Sequence, residues 1–82
     1  MSNHLSTPSK KMQVFDAAEF GQVIRRRRKE LGYTQEAIAA MSNCSPRLIG
    51  EIERGRTTVG IQRVLDLATN LGIDITLTVR GA

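Results

Sequence analysis

The sequence predicts a mainly α fold, in which four helices form one compact domain and a single C-terminal β-strand pairs with its copy across a homodimer. Two observations support this interpretation. Apolar residues recur at helical spacing in four successive segments, each bounded by residues that start or stop helices. Residues 73–80 instead alternate apolar and polar side chains and are rich in β-branched residues, which is typical of a strand.

The length of 82 residues fits one domain, close to the lower size at which an apolar core suffices without disulfides or metal. The single cysteine, Cys44, excludes an internal disulfide, so a reducing compartment is expected. The longest apolar runs are too short to span a bilayer, and the polar N-terminus lacks the apolar core of a signal peptide. We therefore expect a cytoplasmic protein with no membrane partner.

The charge balance favours a nucleic-acid partner. The formal net charge is +4, and most of the 12 basic residues are arginine. Arginine binds phosphate groups and guanine edges through a bidentate fork. With one Tyr, two Phe and no Trp, the chain has few of the stacking surfaces that bind single strands, so duplex DNA is favoured over RNA loops.

Residues 1–14 are predicted to form a flexible N-terminal tail because they are mostly polar and mildly basic. His4 has no partner at a metal-ligand spacing and is predicted to be inert. Lys10 and Lys11 are interpreted either as solvated charges or as an arm that contacts the DNA backbone or minor groove.

The first helix is predicted to begin at Asp16, with Glu19 completing a capping box and Phe15 and Phe20 forming a hydrophobic staple. Gly32 is predicted to end this helix. Its apolar residues recur near helical spacing and are Phe20, Val23, Ile24 and Leu31.

Residues 25–28 are four consecutive arginines, which fan around most of the helix at about 100° per residue. Arg28 lies at the edge of the inward face and therefore needs a carboxylate partner. The other three are expected to be solvated or to make loose phosphate contacts.

Two short helices joined by a tight turn are predicted within residues 34–55. Thr34 caps the first, and Ser45 followed by Pro46 starts the second. Asn43 tolerates the left-handed backbone of the turn, and Gly55 stops the second helix. The apolar faces are formed by Ala37, Ile38 and Met41 and by Ile49 and Ile52. Cys44 either fills the turn as a small apolar residue or acts as a redox-sensing thiol.

The last predicted helix ends at Gly72. Its apolar residues show the strongest helical period in the chain and are Ile61, Val64, Leu65, Ala68 and Leu71. Residues 73–82 form the predicted dimerisation strand, which has no partner strand in its own chain. Pairing with a second subunit about a two-fold axis would bury its apolar side chains: Ile73, Ile75, Leu77 and Val79.

The sequence contains no catalytic constellation, phosphate loop or metal-ligand cluster, so no enzymatic activity, cofactor or metal is predicted.

The two helices predicted within residues 34–55 form a helix-turn-helix. In this motif the second helix, here residues 45–54, enters the major groove of DNA. The residues predicted to contact bases are Pro46, Arg47, Leu48, Gly50 and Glu51. Those predicted to contact phosphates are Thr34, Gln35, Ser45, Arg54 and Arg56.

Two of these assignments leave an alternative open. Leu48 either lines the edge of the core or contacts a thymine methyl group. Glu51 either accepts a hydrogen bond from cytosine N4 or braces Arg47, four residues before it on the same face.

TQEAIA followed by SPRLIGEIERGR resembles the Xre/Cro family of helix-turn-helix repressors. The resemblance implies a lambda-repressor-like DNA-binding domain over residues 15–72. It also implies that Gln35 holds a phosphate and that Glu53 is the partner of Arg28 in a structural ion pair. Asn43 replaces the turn glycine of the family, and Pro46 replaces a frequent polar base-reading residue.

The strand at residues 73–80 stands where phage repressors have a fifth helix, and this resembles the HipB-like antitoxins. That resemblance implies a homodimeric repressor that binds a palindromic double-stranded DNA operator. It also implies an alternative, an antitoxin whose main role is to bind and neutralise a HipA-type kinase toxin, with autoregulation as a second role.

Overall fold

The computed structural model describes residues 10–81. The predicted tail up to residue 9, with His4, and the last residue of the predicted strand, Ala82, lie outside that range. Four helices follow one another in the described chain: α1 (Ala17–Glu30), α2 (Gln35–Met41), α3 (Pro46–Glu53) and α4 (Ile61–Asn70). Both α1 and α2 pack closely against α3, and α4 packs against α2. The third helix is therefore held on two sides, which leaves its remaining surface free.

Local side-chain caps start the first three helices. Asp16 Oδ1 accepts a hydrogen bond of 2.8 Å from the Glu19 N–H, as the capping box predicts. The Glu19 carboxylate accepts from the N–H of Phe15 rather than from that of Asp16. The predicted staple is wrong, because the Phe15 side chain is 80% exposed.

The turn between α2 and α3 has the predicted backbone geometry. Asn43 adopts a φ of 55°, the left-handed conformation that reverses the chain direction within a few residues. Gly55 has a φ of 95° just after α3 and ends that helix in the same way. Both chain reversals could therefore be predicted from sequence, because asparagine and glycine tolerate a positive φ.

The core consists of seven buried residues from all four helices: Ile24, Ile38, Ala39, Ile49, Ile52, Leu67 and Leu71. Cys44 is half-buried against this cluster, as the interpretation of it as a small apolar residue expects.

Four residues that the apolar pattern assigned to the inner faces are instead exposed: Leu31, Met41, Ile61 and Leu65. The largest difference is at Ile61, which is 74% exposed. The helix α4 packs through Leu67, Ala68 and Leu71, so that Ile61 and Leu65 lie at the margin of its buried face.

Long polar side chains fix α4 in place. The Asn70 amide donates to Met41 O at 3.2 Å and to Ser42 Oγ at 3.0 Å, and Arg63 Nη1 donates to Asn43 O at 2.8 Å. Arg27 Nε donates to the Leu71 carbonyl at the end of α4, at 2.8 Å. Three of these four bonds go to backbone carbonyls at or just beyond helix ends, where carbonyls lack a partner within the helix.

The segment 73–80 forms no β-ladder in the single described chain, whose residues 10–81 contain helices and connecting segments. Ile73 is half-buried against the core, and its N–H donates to the Ala68 carbonyl at 2.8 Å. Leu77 and Val79 are 93% and 78% exposed, and Ile75 is also exposed. The pairing of this segment across a dimer stays a prediction.

Candidate nucleic-acid interface

The exposed surface of α3 begins at its N-terminus. Ser45 Oγ caps the helix by accepting from the Leu48 N–H at 3.1 Å, and Pro46 occupies the first turn. The Arg47 side chain is 87% exposed, and Ser45 and Pro46 are exposed beside it. An arginine at this end of a helix can present its guanidinium fork to the edge of a guanine.

Two residues predicted to contact bases are not free surface residues. Gly50 is buried, which corrects its assignment to the outward face. Its surface is covered by two side chains, since a Cβ built on Gly50 would lie 3.1 Å from Arg54 Nη1 and 3.5 Å from Gln35 Nε2. Leu48 is half-buried against the core, which favours the core-edge interpretation.

Glu51 lies between two arginines. Its carboxylate accepts from Arg47 Nε at 3.3 Å through one oxygen and from Arg56 Nη1 through the other. The hydrogen bond from Arg56, helped by the charges of Arg56 and Arg47, lowers the pKa of Glu51 below its usual range despite partial desolvation. The carboxylate is therefore ionised at neutral pH and can only accept hydrogen bonds.

Below this surface lies a buried ion pair between α1 and α3. Arg28 donates to the two oxygens of Glu53 from Nε at 2.6 Å and from Nη2 at 3.1 Å. Its remaining Nη1 donates to the Tyr33 carbonyl at 2.9 Å. The bidentate geometry satisfies both charges, as burial in the core requires.

Gln35 connects the buried pair to the surface. Its Nε2 donates to Glu53 Oε1 at 3.1 Å, and the side chain is half-buried at the start of α2. Burial alone would raise the pKa of Glu53, but hydrogen bonds from Arg28 and Gln35 outweigh it, so that the pKa lies below the usual value. Hydrogen bonding to Glu53 likewise raises the pKa of Arg28.

The other residues predicted to contact phosphates lie at the starts of α2 and α3 and just after the end of α3. Thr34 is exposed and caps α2 by accepting from the Ala37 N–H at 3.0 Å. A hydroxyl that accepts in this way still has its own hydrogen to donate, and the same holds for Ser45. Arg54 and Arg56 are exposed at the end of α3. These exposed hydroxyl and guanidinium groups can donate hydrogen bonds to phosphate oxygens.

Three residues near the interface were missed by the sequence analysis. Gly21 lies on α1 where that helix approaches the end of α3, and Arg63 and Asn70 bind the turn before α3. Their roles depend on contacts between helices distant in sequence, and the sequence carries no local signal for them.

Residues 10–81 contain neither a metal site nor a membrane-spanning helix. No group of His, Cys, Asp or Glu side chains there could hold a metal ion. None of the helices in that range is both long and apolar enough to cross a membrane.

The chain is similar to known helix-turn-helix proteins. A family model described as helix-turn-helix matches residues 24–77. The crystal structure of the restriction-modification controller protein C.AhdI from Aeromonas hydrophila shares 36% identity, with a TM-score of 0.65 over 71% of this chain and 88% of that chain. No curated protein matches the chain in sequence.

More distant likenesses concern the fold alone. A structure of a HipA-HipB-O2-O3 complex matches with a TM-score of 0.77 at 14% identity, over 85% of this chain and 99% of that chain. A HipB-O4 20mer complex matches with a TM-score of 0.76 at the same identity and coverage.

Proposed function

The chain belongs to the Xre/Cro-like helix-turn-helix family of DNA-binding proteins, and from this premise we propose that it is a dimeric transcriptional repressor of a palindromic operator. Two copies of α3 would enter successive major grooves about 34 Å apart. The observation that carries the proposal is Arg47, whose side chain is 87% exposed at the N-terminal end of α3. Thr34, Ser45 and Arg54 are also exposed and would bind phosphates.

The proposed readout predicts different effects for two exposed arginines, Arg47 in α3 and Arg54 just after it. Replacing Arg47 with Ala should cost about 1–3 kcal/mol of binding free energy at one base pair of each half-site, because a bidentate guanine contact is lost. Replacing Arg54 with Ala is the matched control and should weaken all duplexes alike, since phosphate contacts carry no sequence information. Titrations at fixed salt of a duplex selected from a random pool, and of a shuffled duplex, measure both effects.

Equal losses on the selected and shuffled duplexes for Arg47→Ala would contradict the assignment of Arg47 to base readout. Failure of the wild-type protein to prefer any selected duplex over the shuffled one would contradict the repressor proposal itself.

Dimerisation through residues 73–80 is the second part of the proposal. The apolar side of this segment is exposed in one chain, with Leu77 and Val79 almost fully accessible. Antiparallel pairing with a second copy would bury that side and supply the missing ladder hydrogen bonds. A monomer would read only half of a palindrome.

The double variant Leu77→Lys/Val79→Lys should therefore be monomeric, because charges replace the apolar contacts. Thr76→Lys/Thr78→Lys adds the same charge to the opposite side of the segment and should stay dimeric. Sedimentation velocity at micromolar concentration distinguishes the two. A dimer that persists in the first variant would place the interface elsewhere.

An antitoxin role is the second candidate function. It is favoured by the fold likeness to HipB and by the exposed C-terminal segment, which could contact a protein partner. Co-expression with a HipA-type kinase from a neighbouring reading frame tests it, and no complex at micromolar concentration would count against it. The repressor proposal ranks first because the 36% identical relative is a controller protein.

A further inference from the structure

The carboxylate of Glu51 is an unexpected group on a surface that is proposed to face DNA. A negative charge there repels phosphates, so its presence needs a physical reason. Glu51 is partly exposed on α3, one turn after Arg47, and its ionised oxygens each accept from a different arginine. Each of its oxygens thus already has an arginine donor before DNA arrives.

The two ion pairs of Glu51 differ in how firmly they are held. Arg56 makes three contacts. In its side chain, Nη1 donates to the Glu51 carboxylate and Nε donates to Thr58 Oγ1 at 3.2 Å. Its backbone N–H donates to the backbone carbonyl of Glu51 at 3.0 Å. Arg47 makes one long bond of 3.3 Å to Glu51 from an almost fully exposed side chain. Arg56 is therefore held in place by several contacts, whereas Glu51 is the single restraint on the otherwise exposed Arg47 side chain.

We propose that Glu51 is a positioning residue that sets specificity, and that it does not read a base. It holds Arg56 beside the DNA backbone, and it restrains Arg47 through Nε, so that Nη1 and Nη2 stay available for a bidentate contact with a guanine edge. This inference rests on the proposed function as a sequence-specific DNA-binding protein. It closes the choice, left open by the sequence, between a cytosine contact and a brace for Arg47.

The energetic consequence differs between specific and non-specific DNA. On a random duplex, phosphates compete for Arg47 against the nearby carboxylate, so Glu51 weakens binding that uses the phosphates alone. On the operator, Arg47 keeps its Nε bond to Glu51 and offers Nη1 and Nη2 to the two acceptors of a guanine edge, so specific binding breaks no bond to the carboxylate. Glu51 thus raises the ratio of specific to non-specific affinity.

Glu51→Gln tests this, because the amide keeps the size of the side chain and removes its charge. The probes are a duplex selected with the wild-type protein from a random pool and a shuffled duplex of the same composition. We expect affinity for the shuffled duplex to rise about three- to tenfold, with a log–log salt slope steeper by about one. Affinity for the selected duplex should change less than about twofold, so the specificity ratio falls.

A double-mutant cycle separates positioning from structure. In an Arg47→Ala background the charge of Glu51 has no base-reading arginine to restrain, so Glu51→Gln should leave the specificity ratio unchanged. Thermal melts of all variants check that the fold is retained.

Two outcomes would overturn the inference. One is an unchanged specificity ratio for Glu51→Gln in the wild-type background. The other is a loss confined to one C·G pair of the selected duplex with no gain on the shuffled duplex, which would make Glu51 a direct base reader. Absence of any preference by the wild-type protein is a different result, since it overturns the proposed function and the inference with it.

Discussion

Replacing Glu53 with Gln should lower the free energy of unfolding by about 3–5 kcal/mol, because the change leaves the buried guanidinium of Arg28 without a counter-charge. Arg28 and Glu53 are both buried and are joined by two hydrogen bonds. Gln35 donates to the same carboxylate, so its amide also loses an ionised acceptor. For a domain of this size each kcal/mol corresponds to about 4–8 °C in Tm.

The matched control is Glu30→Gln, which removes a carboxylate from an exposed pair with Arg27 at 3.5 Å. Solvent screens that pair, and its loss should change the free energy of unfolding by less than about 1 kcal/mol. Urea titrations of the two variants and the wild type give the comparison. Similar stabilities for Glu53→Gln and Glu30→Gln would show that the buried pair contributes no more than a surface pair.

The pH dependence of stability provides a second measurement on Glu53. Its pKa is lowered in the folded state, so its contribution is present above the pKa of an unfolded glutamate and is lost as the pH falls through the folded-state pKa. The wild type should therefore lose stability in acid, and the difference between wild type and Glu53→Gln should shrink there. A difference that stays constant from neutral to acidic pH would contradict the assigned cause.

Replacing Gly21 with Ala should destabilise the protein by about 3 kcal/mol, although the same change in an exposed helix interior is stabilising. A Cβ built on Gly21 would lie 2.3 Å from the Ile52 carbonyl oxygen and 2.7 Å from that of Glu53. Both are backbone atoms of α3, so relief requires the two helices to move apart. Such movement would also lengthen the bonds between Arg28 and Glu53.

Gly60→Ala is the control, because nothing lies within 4 Å of the position and its φ of −59° suits any residue. We expect the free energy of unfolding of this variant to change by less than about 1 kcal/mol. Calorimetric melts of both variants check the prediction. A Gly21→Ala variant as stable as the wild type would mean that the helices can separate at little cost.

Much of the local backbone structure could be predicted from sequence because its determinants are short-range. The caps at Asp16, Thr34 and Ser45 each bind an N–H three residues ahead, so residue type and spacing suffice to place the helix starts. The reversal at Asn43 depends on the backbone preference of one residue. Position on the first helix similarly indicated that Arg28 needed a carboxylate, and the family resemblance supplied Glu53.

Side-chain exposure was predicted less well because it depends on which neighbour covers each helix face. The helical period alone predicted that Ile61 and Leu65 lie on the buried face of α4 with Leu71. Both are exposed, because α2 covers only part of α4. Gly50 was placed outside by the same reasoning, and the long side chains of Gln35 and Arg54 bury it.

By itself, the sequence determined the four helices, the turn between α2 and α3, the exposed position of Arg47 and the need for a partner to Arg28. Only the tertiary structure decided that Glu51 binds two arginines, because Arg56 reaches it after the chain reverses at Gly55. It also decided that Gly21 must have no side chain, since the distance between α1 and α3 is set by the packing of both. Local hydrogen bonds follow from residue type, whereas distances between helices follow from the packing of the whole core.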